Sequence, residues 1–359
     1  MNTLPRFLGP IRIQPFAWLD AWLDAPGQRA SAGRGAYDFN NPTGSRGVIA
    51  VDKVGGRVRF YDPRTFHEVD SIEVDKLPHE VAIAPDHASA YVSIYGPGIF
   101  GNNPTPAQSI VVVDLETRKA VRTISVAPYF APHGMMVAAD GRLWVSCDAS
   151  AKLIVIDPHK GVIDGAFDTG STGSHWITIT PDSRKIYISN KTASVGVFDI
   201  GRGELVRSIS LPGAKQGSEG IAASPDGKRV LVVDNFDARI HVIDTATEEI
   251  VDSVDLLNNP PTNPKRSRNL RVRFSLDGKY VLSSNYASGV VYIHDAADLR
   301  RQTPLIVAKG PMGFAFAPDK RTAIVGNHDS GIATVFDMNE RKIRGYFDGG
   351  AGIETLAFY

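Results

Sequence analysis

Three histidines, His79, His133 and His175, and two glutamates, Glu219 and Glu354, carry the chemistry this sequence offers. Each stands at the same place in a recurring segment, just before a run of alternating apolar residues. The segments are HEVAIAPD from His79, HGMMVAAD from His133, HWITITPD from His175, EGIAASPD from Glu219, LRVRFSLD from Leu270, MGFAFAPD from Met312 and a truncated ETLAFY from Glu354. Nine histidines in 359 residues would place on the order of 0.2 in seven such positions by chance, yet three fall there in consecutive repeats. Imidazoles and a carboxylate converging on one point suit two chemistries. As ligands, His79, His133, His175 and Glu219 would hold one divalent metal ion, zinc, iron, manganese or copper, with a position left open for water or substrate. As acids and bases, His175, Glu219, Glu354 and His328 would move protons. A third reading is structural, since the wall of a wet channel needs polar residues. HExxH and CxxC spacings are absent, so all three readings rest on the repeat alone.

The repeat names the elements that must position these residues. The aligned segments follow one another at intervals of 54, 42, 44, 51, 42 and 42 residues. In SHWITITPDSRKIYISNKTASVGVFDI, alternation at period two runs on both sides of a Pro181-Asp182-Ser183 turn, a third strand follows, and ELVRSISL supplies a fourth. Units of four strands at this period are blades of a β-propeller, each burying its faces only against its neighbours. The ends complement one another. ETLAFY is a first strand with nothing after it, and the segment from Ser45 supplies three strands with no first strand before them. The expected architecture is all-β, a seven-bladed propeller of four-stranded blades closed by pairing of the N- and C-terminal strands, with no open edge. Residues 45–359 form this single domain, and residues 1–44 are an N-terminal extension.

First strands line the channel, so the aligned residues ring its mouth. The ends of the second strands border the same mouth, and among Tyr95, Asp148, Asn190, Asn235, Asn285, Asn327 and His328 the asparagines read as turn residues. Tyr95 and His328 are the site candidates there. Trp176 alternates away from the channel and packs between blades. Two insertions emerge at this face: IYGPGIFGNNPTPAQS, which is long enough to lie over the mouth, and LNNPPTNPKRSRN. The second leads into Arg271, and Arg268 and Arg271 are candidates to hold an anionic substrate group. The remaining histidines, His67, His87, His159, His241 and His294, read as surface or edge residues.

The PDG-type turns followed by IYISN, VLVVDN and YVLSSN resemble the YVTN-type repeat of lactonase-like seven-bladed propellers, over roughly residues 45–359. That resemblance implies a small-molecule enzyme, a hydrolase or lyase acting on a lactone or similar electrophile. Two other classes stay open: an oxidative metalloenzyme with a histidine-ligated metal, and a non-enzymatic binding or scaffold propeller.

Composition removes several partners. Lys plus Arg and Asp plus Glu both number 39, so no net field favours nucleic acid or an anionic membrane. No apolar run is long enough to span a bilayer. No Gly-rich phosphate loop or dinucleotide fingerprint precedes a helix, so no nucleotide cofactor is expected. The single cysteine, Cys147, rules out an internal disulfide framework and fits a reducing, cytoplasmic setting, with the thiol packed as a small apolar residue. In the extension, WLDAWLDA has apolar residues at helical spacing, either packing on the propeller or docking a protein partner.

Overall fold

The computed structural model describes residues 43–75, 77–98, 103–214, 217–235, 237–256 and 269–359, with no side-chain description for Asn269 and Leu270. The WLDAWLDA segment, Arg268 and most of the second insertion lie outside the described residues. Residues Asp38–Tyr359 form one unit. Its strands make seven four-stranded antiparallel sheets. Blade 1 joins the chain ends in the order Ile353–Phe358, Val48–Asp52, Arg57–Tyr61, Glu68–Glu73. Its closing register sets Val48 opposite Phe358, Ile49 opposite Ala357 and Ala50 opposite Leu356. Blades 2 to 7 begin with the first strands Pro78–Ile83, Pro132–Val137, Ser174–Ile179, Ser218–Ala223, Asn269–Phe274 and Pro311–Phe316. Each first strand neighbours the next around a closed ring.

The apolar clusters lie between blades, as the alternating pattern demands. Ile188 and Phe198 of blade 4 pack with Trp144 and Val155 of blade 3, and Leu282 and Ile293 of blade 6 pack with Phe314 and Val325 of blade 7. At the opposite end from the site, the recurring aspartate closes each turn between first and second strands. Asp182, Asp226 and Asp277 each accept the N–H two residues on, and the intervening Ser183, Gly227 and Gly278 are left-handed.

Two of the histidines expected at the surface are in the interior. His241 and His294 sit on third strands with no exposure. His241 Nδ1 pairs with Ser253 Oγ at 2.8 Å, while His294 pairs with Ser283 Oγ at 2.8 Å and with the Leu299 carbonyl at 2.9 Å. A third strand is flanked on both sides within its blade, so a polar residue there is sealed in and must find partners. His67, His87 and His159 are exposed, as expected.

Burial pushes the His294 pKa down to about 4. The native ring therefore stays neutral where the unfolded chain, with an ordinary value near 6.5, takes a proton. The resulting stability is full above pH 6.5 and is lost as pH falls toward 4. His294 alone should cost about 2 kcal/mol between pH 6.5 and pH 5. His241, lowered in the same direction by burial, adds to the trend. Urea unfolding at pH 7.5 and pH 5 checks it, and a stability independent of pH over that range would contradict it.

Candidate active site at the channel mouth

A shared backbone irregularity places the site. In blades 2 to 7 the pairing of first with second strand slips at the start of the first strand, between Pro78 and Val81, Pro132 and Met135, Ser174 and Ile177, Ser218 and Ile221, Asn269 and Arg271, and Pro311 and Phe314. Such bulges re-aim the side chains they contain. In the three histidine blades a second-strand serine takes the N–H freed by the bulge. Glu80 N donates to Ser93 Oγ at 3.0 Å, Gly134 N to Ser146 Oγ at 3.0 Å and Trp176 N to Ser189 Oγ at 3.1 Å. Gly134 also lets neighbouring first strands close up, because a Cβ there would stand 2.7 Å from the His175 carbonyl.

The three histidines meet, as the alignment requires. His79 and His133 face each other with their Nε2 atoms 2.7 Å apart, and the His133 and His175 ring centroids are 3.6 Å apart. His175 lies between two carboxylates, with Nδ1 2.9 Å from Asp148 Oδ2 and Nε2 3.3 Å from Glu219 Oε2. The Tyr95 hydroxyl donates to the same Asp148 oxygen at 2.9 Å. Lys191 pairs with Glu219 Oε1, which also accepts from Asn235 Nδ2 at 3.3 Å. On the far side of the pair of rings, His79 Nδ1 stands 3.2 Å from Glu354 Oε1 and 3.1 Å from Lys53 Nζ. His328 Nδ1 lies 3.2 Å from Glu354 Oε2. His133 Nδ1 is buried and has no hydrogen-bond partner among the described residues.

A second ring, one residue past each second strand, consists of Lys53, Tyr95, Asp148, Lys191, Asn235, Tyr286 and His328. In four of the seven blades this residue makes a polar contact with the first-strand residue of the following blade, Lys53 with His79, Asp148 with His175, Lys191 with Glu219 and His328 with Glu354, and in a fifth the Tyr95 ring meets the His133 ring edge-on at 5.1 Å. The asparagines one position earlier serve the turns. Asn190 bonds Ser174 and Ser194, and Asn327 bonds the Ile332 carbonyl and Thr334. Lys53 and Lys191 were not among the expected site residues, yet they occupy the alignment column of Tyr95 and His328.

Three further residues enter through the bulges. Arg271, not the aligned Leu270, spans the mouth to Glu80, donating from Nη2 to Oε1 at 2.7 Å between blades 6 and 2. Its guanidinium lies 3.2 Å from the centroid of Trp176, whose ring also meets the His133 ring edge-on at 4.7 Å. Trp176 does pack against the apolar cluster between blades 4 and 5, but its ring reaches the site as well. Met312 is only partly buried. The first insertion meets the site through backbone, since the Gly98 carbonyl accepts from Lys53 Nζ at 3.2 Å.

Most of the group is buried, with Lys191, His328 and Trp176 half-buried at its edge, so its electrostatics are strong. Burial lowers the pKa of His79 and His133 well below the ordinary value, against the pull of Glu354 on His79, and both rings are neutral. Burial raises Glu80 to about 7 despite Arg271. For Glu219, Lys191 and His175 outweigh burial and hold the carboxyl at about 2. For Asp148, the His175 and Tyr95 contacts likewise outweigh burial and keep it below the ordinary range. Glu354 is held low against burial by His79, Lys53 and His328. Cys147 is fully buried, and burial pushes its thiol up to about 12, so it packs rather than reacts.

Residues 170–344 match the family model described as "Lactonase, 7-bladed beta-propeller". The chain is a seven-bladed propeller that is lactonase-like over these residues. Among curated proteins it is similar to the peptidylglycine alpha-amidating monooxygenase of Rattus norvegicus, 22% identical over 170 residues that make up 42% of this chain and 17% of that one. It is also similar to the peptidyl-glycine alpha-amidating monooxygenase B of Xenopus laevis, 23% identical over 172 residues, 43% of this chain and 20% of the relative. The match thus spans no more than a fifth of those proteins. Among solved structures, the Kuenenia stuttgartiensis hydrazine synthase superposes on the lactonase-like propeller with a TM-score of 0.70 at 20% identity, covering 83% of this chain and 93% of that one. A functionally unknown protein from Desulfotomaculum acetoxidans DSM 771 gives 0.71 at 17% identity, covering 88% and 99%. At these identities the structural likeness shows the fold alone. Among the described residues, no helix of the lactonase-like propeller is long and apolar enough to cross a membrane.

Proposed function

We propose that the chain is a small-molecule enzyme that opens a lactone or a similar electrophile at the channel mouth. The observation that carries this reading is the His175 imidazole held between Asp148 and Glu219 beside two neutral histidines. Asp148 fixes the ring through Nδ1, and Tyr95 fixes Asp148, leaving Nε2 to take a proton. The imidazolium formed is stabilised by Glu219, which Lys191 keeps ionised. Tyr95 thus acts as a positioning residue, and Arg271, flat on Trp176, is the cation available to an anionic substrate group. Glu354 and His328 back the far side of the cluster through His79.

Two outcomes share this first proton transfer. In hydrolysis, His175 takes a proton from water, the hydroxide adds to the ring carbonyl, the ring C–O bond breaks and the proton returns to the departing oxygen, giving a hydroxy acid. In elimination, His175 takes a proton from the carbon next to the one that bears the ring oxygen, the alkyl C–O bond breaks instead of the acyl one, and the ring oxygen leaves as a carboxylate that receives the proton, giving an unsaturated acid. Mass spectrometry of products from a panel of γ- and δ-lactones in ¹⁸O water separates them: hydrolysis adds one labelled water and elimination adds none. Full recovery of every lactone would overturn the proposal. A second reading, an oxidative metalloenzyme, draws support from the grouping of His79, Glu80 and His133.

A further inference from the structure

Three donor atoms meet at the mouth that the proton-transfer reading does not use. One ligand atom from each of His79, Glu80 and His133 lies within 4.8 Å of the other two, and all three residues are buried. The Nε2 atoms of His79 and His133 are 2.7 Å apart. Two imidazoles on one tetrahedral ion at 2.0–2.1 Å stand about 3.3 Å apart, so a separation of roughly half an ångström turns this contact into a ligand pair.

The neighbours of these residues match what ligands require. A ligating histidine commonly has a carboxylate behind its other nitrogen, and His79 Nδ1 has Glu354 Oε1 at 3.2 Å. Lys53 Nζ, 3.1 Å from the same nitrogen, is also held by the Gly98 carbonyl. A ligating carboxylate is itself hydrogen-bonded, and Glu80 Oε1 accepts from Arg271 at 2.7 Å, leaving Oε2 for an ion. His175 and Glu219 differ. Both nitrogens of His175 face carboxylates, and Glu219 is engaged by Lys191 and Asn235.

We propose that His79, Glu80 and His133 bind one divalent transition-metal ion, with Glu354 and Arg271 orienting the ligands, and that His175 and Glu219 are not ligands. This revises the ligand set expected from the repeat. Two imidazoles and one carboxylate leave open positions and suit zinc, iron(II), manganese or cobalt better than calcium or magnesium. The site stands independently of the lactone reading.

The test uses the full chain, stripped with a chelator and titrated with cobalt(II) chloride while visible absorption is followed. The expected result is one equivalent bound with d–d bands and a raised Tm. Glu80→Gln and His133→Ala should weaken binding roughly 100-fold or more, while His175→Ala should stay within about threefold of wild type. Failure of the wild type to bind cobalt would overturn the proposal, as would a loss in His175→Ala equal to that in His133→Ala. Should His133→Ala misfold, the near-isosteric Glu80→Gln decides. A chain that opens lactones without taking cobalt would sink this proposal and leave the proposed function standing; one that takes cobalt and opens no lactone would do the reverse.

Discussion

Asp148→Asn should lower turnover of an opened lactone by about 10²- to 10⁴-fold with KM little changed, the range that a lost general base contributes. The carboxylate receives both the Tyr95 hydroxyl and the His175 ring on one oxygen, Oδ2, at 2.9 Å each. An asparagine can keep one of these contacts but cannot stabilise the imidazolium that forms when His175 takes a proton. The loss belongs to the transition state, so it falls on kcat. His175→Ala should lose as much, and the double variant little more, because the two residues act as a unit. Steady-state kinetics on the three variants check this. A purely structural role for Asp148 would instead lower the folded fraction and leave the kcat of the folded protein intact.

Asp52→Ala should destabilise the chain by roughly 3–5 kcal/mol, the scale for breaking a buried ion pair. Asp52 ends the strand that closes the ring and has no exposure. Its carboxylate accepts from Gly55 N at 2.9 Å, Ala351 N at 3.1 Å, Gly352 N at 2.9 Å and Arg59 Nε at 2.9 Å. One side chain thus ties the N-terminal strands to the connection entering the C-terminal strand, some 300 positions later in the chain. Without it, four donors lose their acceptor at the joint between strands from opposite ends of the described chain. Against a total stability of order 5–15 kcal/mol this is a large fraction. Urea unfolding measures it, and cleavage near either terminus by a protease should rise in parallel. A variant with wild-type stability would show that the closing register alone secures the ring.

The blades and their closure were legible because a propeller repeats its pattern: six aligned turns locate six first strands, and ETLAFY with the Ser45 segment completes the seventh sheet. The ring of His79, His133, His175, Glu219 and Glu354 was legible for the same reason. What period-two alternation misses is the bulge at the start of each first strand. It brings Glu80 and Trp176 to the same mouth as their neighbours His79 and His175, and puts Arg271 where the alignment has Leu270. Lys53 and Lys191 went unassigned because the second-strand column shifts by one residue across the turn asparagines, and reading one position past each second strand recovers both. Asp148 stood in the right column, but nothing in the sequence marked it as the partner of His175. His241 and His294 were misplaced because a polar residue on a third strand does not show in sequence whether serines and carbonyls wait to receive it.

Acid release from a lactone panel should be followed for purified wild type, His175→Ala and, as a surface control, His67→Ala. Wild type and His67→Ala should open the ring at equal rates, with a loss of about 10²-fold or more in His175→Ala. Equal rates in all three proteins would contradict this expectation, since the chemistry would then lie away from the channel mouth.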